Sequence, residues 1–334
     1  MTVDQTEMRQ ARLDAIIVNW NAGHQLLECI ESFASVAHDK VQLDNVIVVD
    51  NSSTDCSLQT LEDWCKTLPL QIIRNSENRG FAAACNQGAA GSSADFLLFL
   101  NPDTRLCAGC LEEPAALFAT PGGQRVGIAG IQLINAAGEV ARSCARRPTG
   151  PAMIGQSLGL DRLFPSCFPP HFLSEWPHDG TREVDQVMGA FFMIRRPLFE
   201  QLGGFDERFF VYFEDLDLAL RARARGWTSV YVATAQAVHA GQGTTKAVKA
   251  HRLFYWSRSR IFFAFKHFTR TIAGTVAVTT LVIDPFTRTL AAVIGGRIAE
   301  LPNIFRGYVL LWSDLLHMLR ARGGEAGRCL TFWG

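Results

Sequence analysis

The chain has no excess of charge of either sign. Its 334 residues contain 32 acidic and 32 basic side chains. Proteins that bind nucleic acid usually have a net positive charge, so we expect no nucleic-acid partner. The length allows one large or two ordinary domains with a substantial buried core.

A secretory signal is also missing. Residues 1–14 are polar and charged and run directly into a strand-like segment, with no apolar stretch between them. Signal peptides need such a stretch, so we expect the protein to stay in the cytoplasm.

The cysteines do not form the pattern of a disulfide-stabilised protein. Nine are scattered along the chain, an odd number for a chain of this size. Cys107 and Cys110 form a Cys-x-x-Cys pair, which suggests zinc or redox chemistry. A structural zinc needs four ligands, and no second pair has suitable spacing. We therefore expect reduced, structural cysteines.

We expect no apolar run of membrane-spanning length. The apolar stretch 271–283 is followed by Asp284, Pro285 and Arg288. A spanning helix needs about 20 residues, so this stretch is too short. We expect a first domain over residues 1–250 and a helical C-terminal segment over 251–334.

The first hundred residues alternate between strand-like and helix-like segments. Apolar runs of strand length lie at 13–18, 46–49, 70–73 and 96–100, and segments with helical spacing lie at 24–36, 58–68 and 81–90. This alternation predicts an α/β fold with a parallel sheet buried on both faces. Ligands of such sheets bind beyond the carboxyl ends of the strands, where Asn19, Asp50 and Asp103 fall.

The second half of the chain is less regular. Strands are predicted at 126–134, 187–194, 230–232 and 237–239, and helices at 198–202 and 214–225. Residues 142–180 are rich in proline, glycine and aromatic residues and show no period. We interpret them as a mobile loop over the site.

Two segments at the predicted sheet edge suit a nucleotide, and each has a structural alternative. Asp50 can accept a hydrogen bond from a base or a ribose, or it can form a turn with the serines that follow. Gly80, after Asn78 and before an alanine-rich helix containing Asn86, allows a phosphate to approach a helix N-terminus. The alternative is an ordinary loop-to-helix turn.

Asp103 and His239 are the candidate metal ligands. Asp103 follows the apolar run 96–100 in an Asn-Pro-Asp turn, and His239 ends the short strand predicted at 237–239. Mg²⁺ and Mn²⁺ take one or two carboxylates and complete their shell with diphosphate and water, and Mn²⁺ also accepts neutral imidazole. The alternatives are a turn without a ligand and a structural histidine.

Glu214 and Asp215 begin a predicted helix after the aromatic-rich run 209–213. Acidic residues are favoured in a first turn by the helix dipole, which is the structural alternative. The aromatic residues would also place a carboxylate in a partly apolar cleft and raise its pKa, as a general base requires. Asp217 and Arg221 are expected to form a surface ion pair.

Six blocks, in this order along the chain, resemble the inverting glycosyltransferases of family 2. They lie at 16–21, 48–55, 78–88, 100–104, 203–207 and 214–218, with Arg221 and 226–227 completing the last block. The resemblance covers about residues 13–267. The Asn-Pro-Asp turn looks most like the bacterial rhamnosyltransferase-like branch that builds cell-surface polysaccharide. The resemblance implies a GT-A fold, a Rossmann-like and mostly parallel sheet flanked by helices.

The resemblance also implies roles for individual residues. Asp103 and His239 would bind Mn²⁺ or Mg²⁺, although Asn101 replaces the first aspartate of the family's Asp-x-Asp motif. Asp215 would be the general base, beside Glu214. The residues implied on the nucleotide side are Asn19, Asp50, Asn78, Gly80, Asn86, Asn101 and Asp103, and those implied on the acceptor side are Gly189 and Ala190.

The implied function is the transfer of a sugar, from dTDP-rhamnose or a UDP-sugar, to a hydroxyl of a glycan or lipid-linked glycan. One alternative is a non-catalytic carbohydrate-binding or scaffold protein on the same fold. Another is a sugar nucleotidyltransferase, which would carry a glycine-rich basic loop where residues 19–24 read Asn-Trp-Asn-Ala-Gly-His.

The C-terminal segment has two interpretations. One is peripheral attachment to the inner face of the cytoplasmic membrane, with Arg258, Arg260, Lys266 and Arg270 facing lipid headgroups. The other is a helical cap or a contact in a homo-oligomer.

Overall fold

The computed structural model describes residues 10–36, 40–59, 61, 64–241 and 248–315, and a nine-stranded sheet lies at its centre. The predicted α/β class is confirmed. The strands of this sheet are β1 (Ala11–Asn19), β2 (Val41–Asp50), β3 (Leu70–Arg74), β4 (Phe96–Leu100), β5 (Thr104–Leu106), β6 (Val126–Ile134), β8 (Arg182–Val184), β10 (Phe191–Arg195) and β11 (Thr228–His239). Two short strands, β7 (Cys144–Ala145) and β9 (Gln186–Val187), pair with each other.

The sheet has the order β3-β2-β1-β4-β10-β6-β11-β5, with β8 beside β11. β1 to β4, β6 and β11 run in one direction, and β5, β8 and β10 run against them. The expected strand at 187–194 is divided between β9 and β10, and β10 is antiparallel in the middle of the sheet. The two strands expected at 230–239 form one strand, with a register shift between Val232 and Gln236.

Helices pack on both faces of this sheet, and further helices follow its last strand along the chain. They are α1 (His24–Ser35), α2 (Phe81–Ala89), α3 (Glu112–Ala119), α4 (Gly150–Ser157), α5 (Leu160–Leu163), α6 (Arg196–Gln201), α7 (Glu214–Arg223), α8 (Lys249–His267), α9 (Arg270–Val278), α10 (Asp284–Ile294) and α11 (Leu301–Ser313). Within the described part of 58–68, the predicted helix is a single 3₁₀ turn at Trp64–Lys66.

The prediction of a loop without regular structure at 142–180 is wrong. This stretch contains β7, α4 and α5. Helices of eight and four residues are too short to show a period in the sequence. His178, at the end of the stretch, is fully buried, and its Nε2 accepts a hydrogen bond from the backbone N–H of Cys144 at 3.1 Å.

Both faces of the sheet are buried, as the continuous apolar strands predict. In β1, Leu13, Ala15 and Ile17 pack into the cluster that contains α1, whereas Ile16 and Val18 pack into the cluster that contains α2. Alternate residues of a strand point to opposite faces, so a strand covered on both sides reads as uninterrupted apolar sequence.

The cysteines whose side chains the structure describes are free thiols. Cys110 is buried, and burial raises the pKa of its thiol to about 12. No group of three or more candidate metal ligands occurs among the described residues.

The expectation that the apolar stretch after Thr271 ends at Asp284 is wrong. A continuous helical segment extends over Arg270–Ile294, long and apolar enough by composition to cross a membrane. Its π-helical turn at Thr279–Ile283 precedes Pro285, which lacks a backbone N–H and therefore fits the first turn of α10. Asp284 is buried and accepts hydrogen bonds from Tyr308 at 2.5 Å and Arg288 at 2.9 Å.

Most of the basic residues expected to face lipid do not do so. Arg258 is buried and pairs with Asp314 at 2.6 Å. Arg260 is 1% exposed, and burial lowers its pKa to about 10. Lys266 binds Asp206 and Asp217. Of the four, only Arg270 is exposed without such an ion pair in the structure.

Candidate active site

The first part of the site lies where β1 and β2 end side by side. Asn19 and Asp50 are register partners, and the side-chain amide of Asn19 donates to Asp50 Oδ1 at 2.7 Å. Ser53 donates to the same oxygen from its hydroxyl at 2.6 Å and to Oδ2 from its backbone N–H at 3.1 Å. Asp50 thus forms the turn offered as the structural alternative, and its contact with a nucleotide stays a prediction.

Gly80 is required by the close approach of another segment. Its φ is +85°, and a Cβ at this position would lie 2.5 Å from the carbonyl oxygen of Phe210. Its backbone N–H donates to Asn78 Oδ1 at 3.0 Å, and the next N–H, of Phe81, donates to the Phe210 carbonyl at 2.6 Å. The first amides of this helix are therefore engaged within the protein.

Asn86, expected on the nucleotide side, connects α2 to the Gly-Gly-Phe-Asp-Glu block. Its side-chain amide donates to the Phe205 carbonyl at 2.9 Å and to Glu207 at 3.0 Å. Its oxygen accepts from the Phe205 backbone N–H at 2.8 Å. Both donors are used inside the protein, so the geometry gives Asn86 a structural role.

The two candidate metal ligands lie together. β5 and β11 pair so that His239 is opposite Thr104, and Asp103 Oδ1 is 3.2 Å from His239 Nε2. Neighbouring ligands of an octahedral ion lie about 3 Å apart when each is about 2.1 Å from the metal. Asn101 Nδ2 is 3.5 Å from the same imidazole nitrogen. The pair fits Mn²⁺ or Mg²⁺, with nucleotide and water completing the shell.

Asp215 is the candidate base, at the start of α7. It is half-buried, and its two oxygens accept hydrogen bonds from the backbone N–H groups of Leu216 at 2.7 Å and Gly189 at 3.0 Å. Burial raises the pKa of Asp215 more than these bonds and one from Gln186 lower it. A carboxylate with a raised pKa is a stronger base, as deprotonation of a hydroxyl requires.

Glu214 differs from its neighbour in its surroundings. It is buried, and its Oε2 has no hydrogen-bond partner. Burial and the charge of Asp215 raise its pKa well above the ordinary value. The two adjacent carboxyl groups thus differ in their surroundings, because Glu214 is buried with no partner for Oε2, whereas Asp215 is bound by two backbone N–H groups.

Gly189 and Ala190 connect the base to the metal-binding turn. Gly189 donates to Asp215, and the Ala190 carbonyl accepts from the Asn101 backbone N–H at 3.1 Å. A Cβ on Gly189 would lie 3.4 Å from Asp215 Oδ2, in ordinary van der Waals contact with the carboxylate. The two residues predicted for the acceptor side thus lie between the base and the Asn-Pro-Asp turn.

α7 is held in place by a buried charge cluster. Asp217 is fully buried and lies 2.8 Å from Arg221, 2.7 Å from Lys266 and 2.8 Å from His267. The predicted pair with Arg221 is present, but it is not on the surface. The contacts of Asp217 with Lys266 and His267 connect α7 to the end of α8, which fixes the helix that begins with the candidate base.

Two bulky residues before α7 have left-handed backbone conformations. Tyr212 and Phe213 have φ of +69° and +70°. Such values are costly for residues with large side chains and concentrate at functional sites. Phe213 packs against Phe263 of α8 with ring centroids 5.3 Å apart, which holds the turn into the helix.

Several supporting residues were missed in the sequence. Gln186, Lys266 and His267 reach Asp215 or Asp217 from distant segments, and Phe210 fixes Gly80. None lies in a recognisable motif. The one available signal was the pair of basic residues ending α8, which by itself suggests only a favourable helix C-terminus.

Two family models match the chain. Residues 14–128 match the model described as glycosyl transferase family 2, and residues 96–253 match glycosyl transferase family group 2. Together they span 14–253, which includes every block named above and both candidate metal ligands.

Proteins similar to this chain include named glycosyltransferases. The chain is 27% identical over 270 residues to an N-acetylglucosaminyl-diphospho-decaprenol L-rhamnosyltransferase of Mycobacterium tuberculosis, which covers 76% of this chain and 85% of the relative. A low-salt glycan biosynthesis hexosyltransferase of Haloferax volcanii is 26% identical, covering 63% of this chain and 61% of that protein.

Solved structures share the fold. A mannosyltransferase of Pyrobaculum calidifontis in complex with GDP-Man and Mn²⁺ superposes with a TM-score of 0.53 at 18% identity, covering 95% of this chain and 80% of that one. TarS 1-349 of S. aureus in complex with UDP-GlcNAc gives 0.53 at 17% identity, covering 93% and 88%. The chain belongs to glycosyltransferase family 2 and has the GT-A fold.

Proposed function

We propose that the protein is a metal-dependent, inverting glycosyltransferase of cell-surface polysaccharide synthesis. The donor would be dTDP-rhamnose or a UDP-sugar, and the acceptor a hydroxyl of a glycan or lipid-linked glycan. The observation that carries the proposal is the Gly189–Ala190 connection, because it holds Asp215 on one side and the Asn101 turn on the other.

On the donor side, Asp103 and His239 would hold Mn²⁺ or Mg²⁺. The bound ion would stabilise negative charge on the nucleotide diphosphate. Asn101 occupies the position of a second carboxylate, so the site has one acidic ligand and relies on the diphosphate for the remaining charge. Asn19 and Asp50 would lie on the base and ribose side.

On the acceptor side, Asp215 would take the proton of the attacking hydroxyl. Its two backbone hydrogen bonds fix the carboxylate, and its half-buried position raises the pKa and thus its basicity. Attack from the side opposite the diphosphate breaks the sugar–phosphate bond in one displacement, so the configuration of the sugar inverts.

The mycobacterial relative supports a lipid-linked acceptor, because its name gives an N-acetylglucosaminyl-diphospho-decaprenol acceptor and a rhamnosyl group. We propose the same classes of donor and acceptor for this chain. A cytoplasmic location against the inner face of the cytoplasmic membrane goes with such an acceptor, residues 1–250 forming the catalytic unit and 251–334 the membrane-facing or oligomerising unit.

Calorimetric titration with UDP, dTDP and GDP, with and without Mn²⁺, tests the donor site. We expect wild-type protein to bind nucleotide only with the metal, and Asp103→Ala to lose this binding. The control is Asp44→Ala, which should keep it, because Asp44 lies towards the end of β2 away from Asp50. Preference for dTDP followed by rhamnose transfer from dTDP-rhamnose supports the proposed donor. If the folded protein binds none of the three nucleotides, the result would contradict the proposal that it is a glycosyltransferase and would favour a non-catalytic scaffold.

A further inference from the structure

A row of large apolar side chains is exposed along the C-terminal helices. In α9, the π-helical turn and α10, the residues at intervals of four are Val278, Val282, Phe286, Leu290 and Ile294. All are more than half exposed, with Phe286 at 72% and Ile294 at 78%. The row extends about 24 Å at 1.5 Å per residue. We call this row the apolar face.

Exposed apolar side chains also occur on the segments next to the apolar face. Ile298 and Phe305, before and within α11, are 64% and 70% exposed. On the other side, the Thr287 hydroxyl donates to the Ser157 carbonyl at 2.8 Å, which places the end of α4 against α10. Leu163 and Phe164, which follow this corner of the chain, are also exposed. Apolar patches of this extent on a soluble domain mark an interaction surface.

The opposite side of the same helical segment packs against the protein. Ala273, Val276, Thr280 and Asp284 are buried there. Asp284 is hydrogen-bonded to Tyr308 of α11, and α11 in turn packs on α8. A helix with one side fixed to the protein and one side apolar is suited to lie in a membrane interface rather than to cross the bilayer.

The exposed charges along residues 270–313 are mostly basic. Arg270, Arg297 and Arg306 are exposed at its borders. Among residues 270–313, Asp284 is buried, and Glu300 lies 3.7 Å from Arg297. In a two-fold contact between copies of this chain, the same patch meets itself, so these arginines would face one another with few acidic partners. Anionic lipid headgroups supply the missing negative charge.

We propose that the apolar face binds to one leaflet of an anionic bilayer. In this arrangement α9 to α11 lie in the headgroup region and the arginines bind lipid phosphates. Because α8 is bound to α7 through Asp217, the docked helices hold the candidate base at a fixed position relative to the membrane. The inference relies on the proposed function only for the choice of a membrane-bound acceptor. Vesicle binding requires neither donor nor metal, so it can fail or succeed independently of transfer.

Flotation of the full-length protein with vesicles tests the docking. We expect binding to phosphatidylcholine vesicles containing phosphatidylglycerol, weaker binding to phosphatidylcholine alone, and at least tenfold weaker binding by Phe286→Glu/Leu290→Glu. The matched control is Val140→Glu, because Val140 is an exposed apolar residue outside the apolar face. Arg297→Gln/Arg306→Gln should bind both vesicle types to a similar, low extent.

Results of three kinds would overturn the proposal. The first is wild-type protein that does not float, or a double glutamate variant that folds and floats as well as wild type. The second is a dimer, detected by light scattering without lipid, that the same variant abolishes, because a second copy would then cover the apolar face. The third is protein retained in vesicles after an alkaline carbonate wash, which would indicate a spanning helix.

Discussion

Replacing Gly80 with alanine tests how the nucleotide-side loop and the base-side segment are joined. Gly80 has φ +85° and ψ 168°, a region essentially restricted to glycine. An added Cβ would lie 2.5 Å from the Phe210 carbonyl oxygen and 2.8 Å from its ring. The variant must therefore move the aromatic segment that leads to Tyr212 and Phe213.

The magnitude follows from two contributions. The backbone strain costs about 1–3 kcal/mol, and forcing a methyl group against a packed neighbour costs about 1–3 kcal/mol. Gly80→Ala should therefore lose about 2–6 kcal/mol of the free energy of unfolding. Gly91 is the matched control, since its φ is +79° and a Cβ there meets nothing within 4 Å. Gly91→Ala should lose only about 1–2 kcal/mol.

The assay is urea unfolding followed by circular dichroism, with midpoint and slope compared between the variants. The Gly80 variant should also transfer sugar more slowly than the Gly91 variant, because displacement of the aromatic segment shifts the start of α7. If both variants lose the same free energy, the contact with Phe210 does not constrain this loop and the reasoning is refuted.

The three carboxyl groups in the first turn of α7 give the further predictions. Asp217→Asn leaves Arg221, Lys266 and His267 without their shared carboxylate and should lower the free energy of unfolding by about 3–5 kcal/mol; an unchanged urea midpoint would contradict this. Although burial raises the pKa of Asp217, its cationic partners lower it overall. Its stabilisation is thus present above the ordinary aspartate pKa and lost as pH falls, and the variant should lose that acid-side dependence. For Glu214, whose pKa is raised by burial, stability declines as pH rises through the raised pKa; Glu214→Gln should flatten this decline, and parallel stability curves would contradict it. Because Asp215 must be ionised to act, the acid limb of kcat should lie above about 3.9, the ordinary aspartate pKa, and a limb at or below that value would argue against Asp215 as the base.

The sequence was sufficient for features set by local pattern. The apolar runs of β1, β2 and β4 identify buried strands, so Asn19, Asp50 and Asp103 could be assigned to the same sheet edge. The approach of Asp103 to His239 followed from the family resemblance and not from local pattern, because His239 ends the long strand β11, which pairs with β5 beside Asp103. An apolar strand reads the same in either direction, however, so the antiparallel insertion of β10 had no signal.

Features that depend on distant partners could not be predicted. The role of Gly80 is set by Phe210, and the burial of Asp217 by the end of α8. Asp284 looks like a helix breaker until Tyr308 is placed beside it. The apolar face on α9 and α10 has helical spacing in the sequence. It was not predicted, because the apolar stretch ends before Asp284 and Pro285, in the middle of the row.

The measurement that tests the central claim most directly is single-turnover sugar transfer by Asp215→Asn, with nucleotide binding measured on the same preparation. The substitution keeps the size of the side chain and removes the base, at the cost of one backbone hydrogen bond from Leu216 or Gly189. The account predicts metal-dependent nucleotide binding equal to that of wild type and no detectable transfer. Transfer at the wild-type rate would show that another group accepts the proton and would contradict the site described above.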